Sequence, residues 1–133
     1  MKSVILKKGK EGIFTQRHHW IFSGAVMSYP KGYQEGELVS ICSHSGEKLG
    51  WGFFNTRCSL AGRIVSFGEG DPYIALRRSF ERALLLRKRL IDEQKTTAYR
   101  LINGEGDGIP GLIIDKYGAY LVIQAGTLGI RLL

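Results

Sequence analysis

The stretch that most restricts how this chain can fold is Gly68-Glu69-Gly70-Asp71-Pro72. Two glycines and a proline close any strand that enters it, and Asp71 followed by Pro72 is the cap-then-proline opening of a helix. The two sides carry different periodicities. Before it lie short apolar runs, Ser3–Leu6, Glu37–Cys42, Leu49–Asn55 and Leu60–Phe67, whose length and glycine punctuation specify strands. His44-Ser45-Gly46 and Asn55-Thr56-Arg57 supply hairpin turns between them. Thr15 is placed to cap a short helix over Gln16–Phe22, with Trp20, Ile21 and Phe22 as its apolar content. Short, closely spaced strands with one helix among them specify a small β-barrel over residues 1–70. After the break, Tyr73 to Glu93 runs without a helix breaker. Leu76, Phe80, Ala83, Leu84, Arg87 and Ile91 share one face of it, the spacing of an amphipathic helix.

Beyond that helix the chain returns to strands. Tyr99–Asn103, Leu112–Asp115 and Tyr120–Gln124 read as a meander, joined by a glycine-and-acid loop and a Tyr117-Gly118 turn. A meander needs a cover over its apolar face, and nine residues follow Gln124. Residues 71–133 are therefore expected to be the linking helix and the first part of an incomplete second α+β unit.

Nineteen basic against twelve acidic residues give a net charge of +7. Residues 1–72 carry nine basic and six acidic groups and residues 73–133 carry ten and six, so no tail holds the excess. A balance of this kind attracts polyanions. The two cysteines, Cys42 and Cys58, lie outside any CxxC pair, which favours structural thiols in a reducing cytoplasm. No apolar run reaches the length of a signal peptide or a membrane span, so no membrane partner is expected.

The residues that carry chemistry point to RNA. Arg77, Arg78, Arg82, Arg87, Lys88 and Arg89 crowd the long helix, opposed within it mainly by Glu81. Arginine forks suit phosphate, although a solvated helix face gives the same pattern. Arg17-His18-His19-Trp20 places a cation, two imidazoles and an indole together, the mixture that unpaired RNA requires. Packing in the core is the competing account of Trp20 and Phe22, and for Trp20 it is the favoured one. Gly50-Trp51-Gly52-Phe53-Phe54-Asn55 reads as packing for Trp51 and Phe53, leaving Asn55, Arg57 and Arg63 for a partner. Gly104-Glu105-Gly106-Asp107-Gly108 follows a strand as a nucleotide cradle would. Another strand follows it rather than a helix, and its carboxylates repel phosphate, so it reads as a turn. No Ser/His/Asp order, HExxH motif or zinc-ligand spacing is present.

These pieces, in this order, resemble a known family. Lys7-Lys8-Gly9 with RHHWIFSGAV (Arg17–Val26), GWGFFN (Gly50–Asn55) and AGRIVSF (Ala61–Phe67) are similar to an N-terminal PUA domain. RLINGEGDGIPGLIIDKYGAYLVIQ (Arg100–Gln124) is similar to the central-domain signature of S-adenosylmethionine-dependent ribosomal RNA cytosine-5 methyltransferases. The resemblance implies an α+β, β-rich fold, with a PUA-type pseudo-barrel, a linking helix and a partial β-meander of a second α+β domain. It implies that a Rossmann-like domain carrying the cofactor loop and the catalytic cysteine lies outside this sequence. The chain itself would then hold no cofactor, with S-adenosylmethionine serving the full-length family. Its role would be to bind ribosomal RNA through Lys8, Lys10, Arg17, His18, Asn55, Arg57, Arg63, Arg77 and Arg78, with no catalytic residue of its own. Two other readings stand beside it: a standalone PUA-domain RNA-binding adaptor, and a protein-interaction module or homodimer formed through the unfinished sheet.

Overall fold

A computed structural model describes residues 2–133. The strand-rich α+β architecture is the expected one, a curled half-barrel sheet with few helices. Six strands, β1 (Ser3–Leu6), β2 (Trp20–Ile21), β3 (Val26–Ser28), β4 (Val39–Cys42), β5 (Lys48–Phe54) and β6 (Gly62–Phe67), form a sheet in the order β2-β6-β5-β4-β1-β3. β1 and β4 run parallel and the other pairs antiparallel. Curling brings Val4, Leu6, Ile21, Ile41, Phe54 and Ile64 into one apolar core, in which each is at most 1% exposed. Tyr33 pins the rim of this core. Its hydroxyl donates to the Phe54 carbonyl at 2.9 Å and accepts from the Phe54 amide at 2.8 Å, while burial pushes its pKa up to about 12.

Helix α2 (Pro72–Leu90) begins where the sequence places it. Asp71 Oδ1 accepts from the amides of Tyr73 and Ile74 at 2.8 and 3.1 Å, and Pro72 occupies the first turn. Arg87, Lys88 and Arg89 in the last turn complement the negative end of the helix dipole. A second core lies between this helix and both sheets. Phe53 and Val65 from the first sheet meet Leu76 and Ala83 of α2 and Ile102, Ile109 and Leu112 from the following strands. Those strands, β7 (Ala98–Asn103), β8 (Leu112–Tyr117) and β9 (Tyr120–Ala125), form the expected antiparallel meander. Helix α3 (Leu128–Leu132) returns to the first sheet, where Gly129 sits against the Phe53 ring so closely that any β-carbon would overlap it. No described helix is long and apolar enough to cross a membrane.

Several expectations fail locally. No helix covers Gln16–Phe22. A single helical turn, α1 (Gly12–Thr15), precedes that segment, which then extends as β2 beside β6. The Ile64 amide donates to the His19 carbonyl at 2.8 Å, and His19 Nδ1 donates to the Ile64 carbonyl at 2.7 Å. This pairing with a strand forty-five residues away overrides the local helical spacing. Trp20 and Phe22 are consequently not core residues: they keep 39% and 55% of their surface in water, with buried Ile21 between them. Leu84 faces solvent rather than sharing the buried stripe of Leu76 and Ala83. Cys42 is a buried thiol, but Cys58 is exposed in the β5–β6 turn and packs nothing.

Candidate nucleic-acid interface

Between β6, α2 and the loop after β7 lies a cleft of about 560 Å³. Each wall has a local cause. On α2, Ala75, Arg78, Ser79, Arg82, Ala83 and Leu86 line it, a three-and-four-residue repeat that forms one stripe. On β6 the register with β5 passes from Trp51↔Ser66 to Gly52↔Ile64, so Val65 is an extra, bulged residue. Ile64 and Phe67 pack into the first core and Val65 into the second. The bulge thereby places consecutive residues Val65 and Ser66 along the cleft. The floor is a 3-10 turn over Gly104–Asp107, ended by Gly108 at φ 75° and packed on Ser79 of α2.

Arg17 and His19 close the remaining side. Arg17 has a φ of 52°, a left-handed conformation that costs a non-glycine residue about 1–2 kcal/mol. In it the guanidinium lies 4.8 Å from the centroid of the Phe67 ring, at the edge of the cleft.

The cleft's charges are unevenly matched. Its two acids are engaged elsewhere. Asp107 accepts from Arg87 Nη1 and Nη2 at 2.7 Å each and from the Asn103 amide at 2.7 Å. Glu105 accepts from Trp20 Nε1 at 3.0 Å and has Arg63 Nε 3.5 Å away. Arg17, Arg78 and Arg82 have no carboxylate partner among the described residues; Arg82 Nη2 donates to Ser79 Oγ at 3.0 Å. Ser66, 6% exposed, has a hydroxyl with no hydrogen-bond partner among the described residues. Three uncompensated cations and an unused buried hydroxyl in a concave site are groups able to bind an anion.

The residues expected from the sequence divide accordingly. Arg17 and Arg78 line the cleft, and His18 stands beside it, its ring 5.6 Å from that of Trp20. Lys8 and Lys10 are exposed in the turn after β1, outside the cleft lining. Asn55 is occupied as a turn acceptor for the Arg57 amide at 3.1 Å, and Arg57 is exposed at that turn. Arg63 is half-buried and donates to the Leu60 carbonyl at 3.2 Å. Arg77 projects away and pairs with Glu81 at 2.9 Å. Arg82 and Ser66 were not foreseen as site residues. Arg82 lies one helical turn beyond Arg78, a spacing visible in the sequence, whereas the bulge that exposes Ser66 to the cleft has no local signature.

The loop Gly104–Gly108 has the geometry of a turn. It closes as a 3-10 turn, runs through Pro110 into β8 instead of opening a helix, and spends its carboxylates on Arg87, Asn103 and Trp20.

Comparison with known proteins shows what these features are similar to. Residues 4–67 match the PUA-like domain. The chain is 34% identical over 128 residues to ribosomal RNA large subunit methyltransferase I of Escherichia coli and 35% identical over 128 residues to that of Salmonella arizonae. In each case 95% of this chain aligns, and it spans 32% of the relative's length. A candidate SAM-dependent methyltransferase from Streptococcus mutans superposes with a TM-score of 0.79 at 21% identity, covering 99% of this chain and 35% of that one. A second candidate methyltransferase, solved with SAH, gives 0.80 at 21% identity over 99% of this chain and 34% of its own. These two establish the fold. Residues 4–67 are thus a PUA-like domain, and the chain as a whole is homologous to about a third of the bacterial ribosomal RNA large subunit methyltransferase I.

Proposed function

We propose that this chain is the RNA-binding region of a SAM-dependent ribosomal RNA methyltransferase, acting in the cytoplasm. The observation that carries the reading is the convergence of Arg17, Arg78 and Arg82, from two separate elements, on one cleft without a carboxylate partner among the described residues. Arginine forks present parallel N–H donors to phosphate oxygens, so the cleft grips the RNA backbone while the PUA-like sheet sets its orientation. Residues 1–70 act as the RNA-binding domain, and 71–133 as the helix and meander that join it to the remainder of the enzyme. In this reading S-adenosylmethionine binding and methyl transfer to cytosine C5 are not the work of this chain, which spans 32% of the relative's length. No residue here is assigned to the chemical step, and the chain's own work is to bind and present RNA.

The test is RNA binding at varied salt. Each phosphate contact to a single strand contributes about −0.7 to the slope of log affinity against log salt. Arg17→Gln, Arg78→Gln and Arg82→Gln together are expected to flatten that slope by about 2. Undetectable RNA binding, or a triple variant with an unchanged slope, would sink the reading.

A second reading has its own observation. Tyr120, Leu121, Val122 and Ile123 of β9 are 48–78% exposed on an edge strand, a surface suited to a protein contact, including a second copy of the chain. Gel filtration across a concentration series separates it from RNA binding.

A further inference from the structure

The rim of the cleft carries a feature that phosphate binding does not use. Strand β2 is the outer strand of the first sheet, and along it exposed and buried residues alternate: His18 out, Trp20 out, Ile21 in, Phe22 out. The strand repeat sets side chains two residues apart about 6.7 Å from each other, close to twice the 3.4 Å rise between stacked bases. Trp20 is held rather than loose. Its Nε1 donates to Glu105, its amide donates to His18 Nδ1 at 3.2 Å, and the Arg63 guanidinium sits 5.9 Å from its ring centroid. Phe22 is 55% exposed and makes no aromatic contact among the described residues. Large aromatic rings left in water on a domain with a complete core mark a contact surface. Glu105 belongs both to this rim and to the cleft, so rings and uncompensated arginines form one continuous face.

We infer that Trp20 and Phe22 are a base-stacking platform, and that the RNA taken by this face is unpaired rather than duplex. The inference rests on the RNA-binding reading and narrows its substrate class. A duplex keeps its bases inside and offers an edge strand only phosphates and sugars, which would leave both rings without a partner. An unpaired strand supplies bases to the rings and phosphates to Arg17, Arg78 and Arg82 together.

The chain has two tryptophans, Trp20 and Trp51. Trp51→Phe therefore leaves Trp20 as the sole indole reporter. The probes are an unpaired mixed-sequence oligoribonucleotide of about ten nucleotides, within the usual site size, and a blunt RNA duplex of the same length. The unpaired strand is expected to quench Trp20 emission and the duplex to leave it unchanged. In the otherwise unaltered chain, Trp20→Ala and Phe22→Ala should each weaken unpaired-strand binding about 5- to 100-fold, the range for loss of one stacked base. Trp20→Phe, which keeps the ring and loses the N–H, should restore most of it, an outcome that a purely structural role through Glu105 would not produce. Equal affinity for duplex and single strand, or unchanged affinity in Phe22→Ala, overturns the platform. If those results appear while the triple arginine variant still weakens both RNAs, the platform fails and the RNA-binding reading stands. If the unaltered chain binds neither probe, the RNA-binding reading itself falls.

Discussion

Strands β4 and β9 are both apolar, and they meet opposite fates. Val39–Cys42 lies inside the six-stranded sheet between β1 and β5, with all four residues buried. Tyr120–Ala125 has β8 on one side and, among the described residues, no strand on the other, and five of its six residues are exposed. The first sheet curls until its apolar face meets itself, so neighbours in the barrel supply the cover. The second sheet packs on α2 and on Phe53 and Val65 of the first sheet, and this core buries Ile102 and Leu112 but leaves most of β9 in water. A curled sheet carries its own apolar core. An open meander is a connector whose outer strand remains available to another surface.

The sharpest way to break this contrast is to compare equivalent truncations in the two sheets. Phe54, 1% exposed, is surrounded by the first core, and the Tyr29 ring meets it edge-on with centroids 5.7 Å apart. Phe54→Ala is expected to cost about 3–5 kcal/mol in denaturant unfolding. Ile123→Ala, at a position 61% exposed, should stay within about 0.5 kcal/mol. Comparable losses would mean that the second sheet is closed too.

The next largest effect tests how the two sheets are joined. The Arg87–Asp107 pair links α2 to the loop after β7 through two bonds of 2.7 Å, with side chains only 14% and 9% exposed. Arg87 Nε also donates to the Arg100 carbonyl at 3.1 Å. Removing the guanidinium leaves a carboxylate shielded from water, so Arg87→Ala should cost about 3 kcal/mol. Arg87→Met with Asp107→Leu should recover much of that, because an apolar pair replaces a desolvated ionic one. Loss in the double variant as large as in the single would show that Asp107 matters through the Asn103 amide instead.

The same contrast explains what the sequence disclosed. The boundary at Asp71-Pro72, the helix after it and all three strands of the meander follow from local signals: a cap, a periodicity, a Tyr117-Gly118 turn. Arg17 and Arg78, named from the sequence as candidates for RNA, both line the cleft, but their convergence there is not visible in any local window. The errors gather at β2, where the sequence offers two residues of strand beside a helical-looking run. The decision there lies with β6, through the His19–Ile64 pairing, and no local window contains it. The core was the favoured place for Trp20 for the same reason: hydrophobicity alone does not say which face of an edge strand is covered. Asn55 Oδ1 and Arg63 Nη1 make turn and carbonyl contacts that appear only after folding.

Acid should loosen the open sheet first. Hydrogen bonds from Lys116 and Tyr99 hold the Glu93 carboxyl below its ordinary value of 4.5, and the Arg100 guanidinium holds Asp115 below 3.8. The unfolded chain binds protons at the ordinary values, so it is the more protonated state as pH falls toward them. The contribution of both pairs is complete above about pH 5 and is lost as pH falls through the lowered folded values. Lys2 does the same for Glu37 beside the first sheet, but there a closed core backs the strands. Amide exchange followed from pH 7 to pH 3 is expected to show β8 and β9 losing protection before β4 and β5. Simultaneous loss would indicate a single cooperative unit.

The smallest expected change in stability is at the open edge itself. No charged residue occurs from Tyr120 to Ala125, and charges on edge strands are the usual device that prevents strand addition. Ile123 pairs with Ile114 across β8 and is 61% exposed, so lysine there can extend into water without entering the second core. Ile123→Lys should leave the unfolding free energy within about 0.5 kcal/mol, while reducing any concentration-dependent association seen by sedimentation. Because Ile123 is not part of the cleft or of the Trp20–Phe22 rim, affinity for the unpaired oligoribonucleotide should not change. A variant that loses RNA binding together with its association would show that the β9 edge and the cleft are not independent surfaces, and RNA binding could then no longer be placed in the cleft alone.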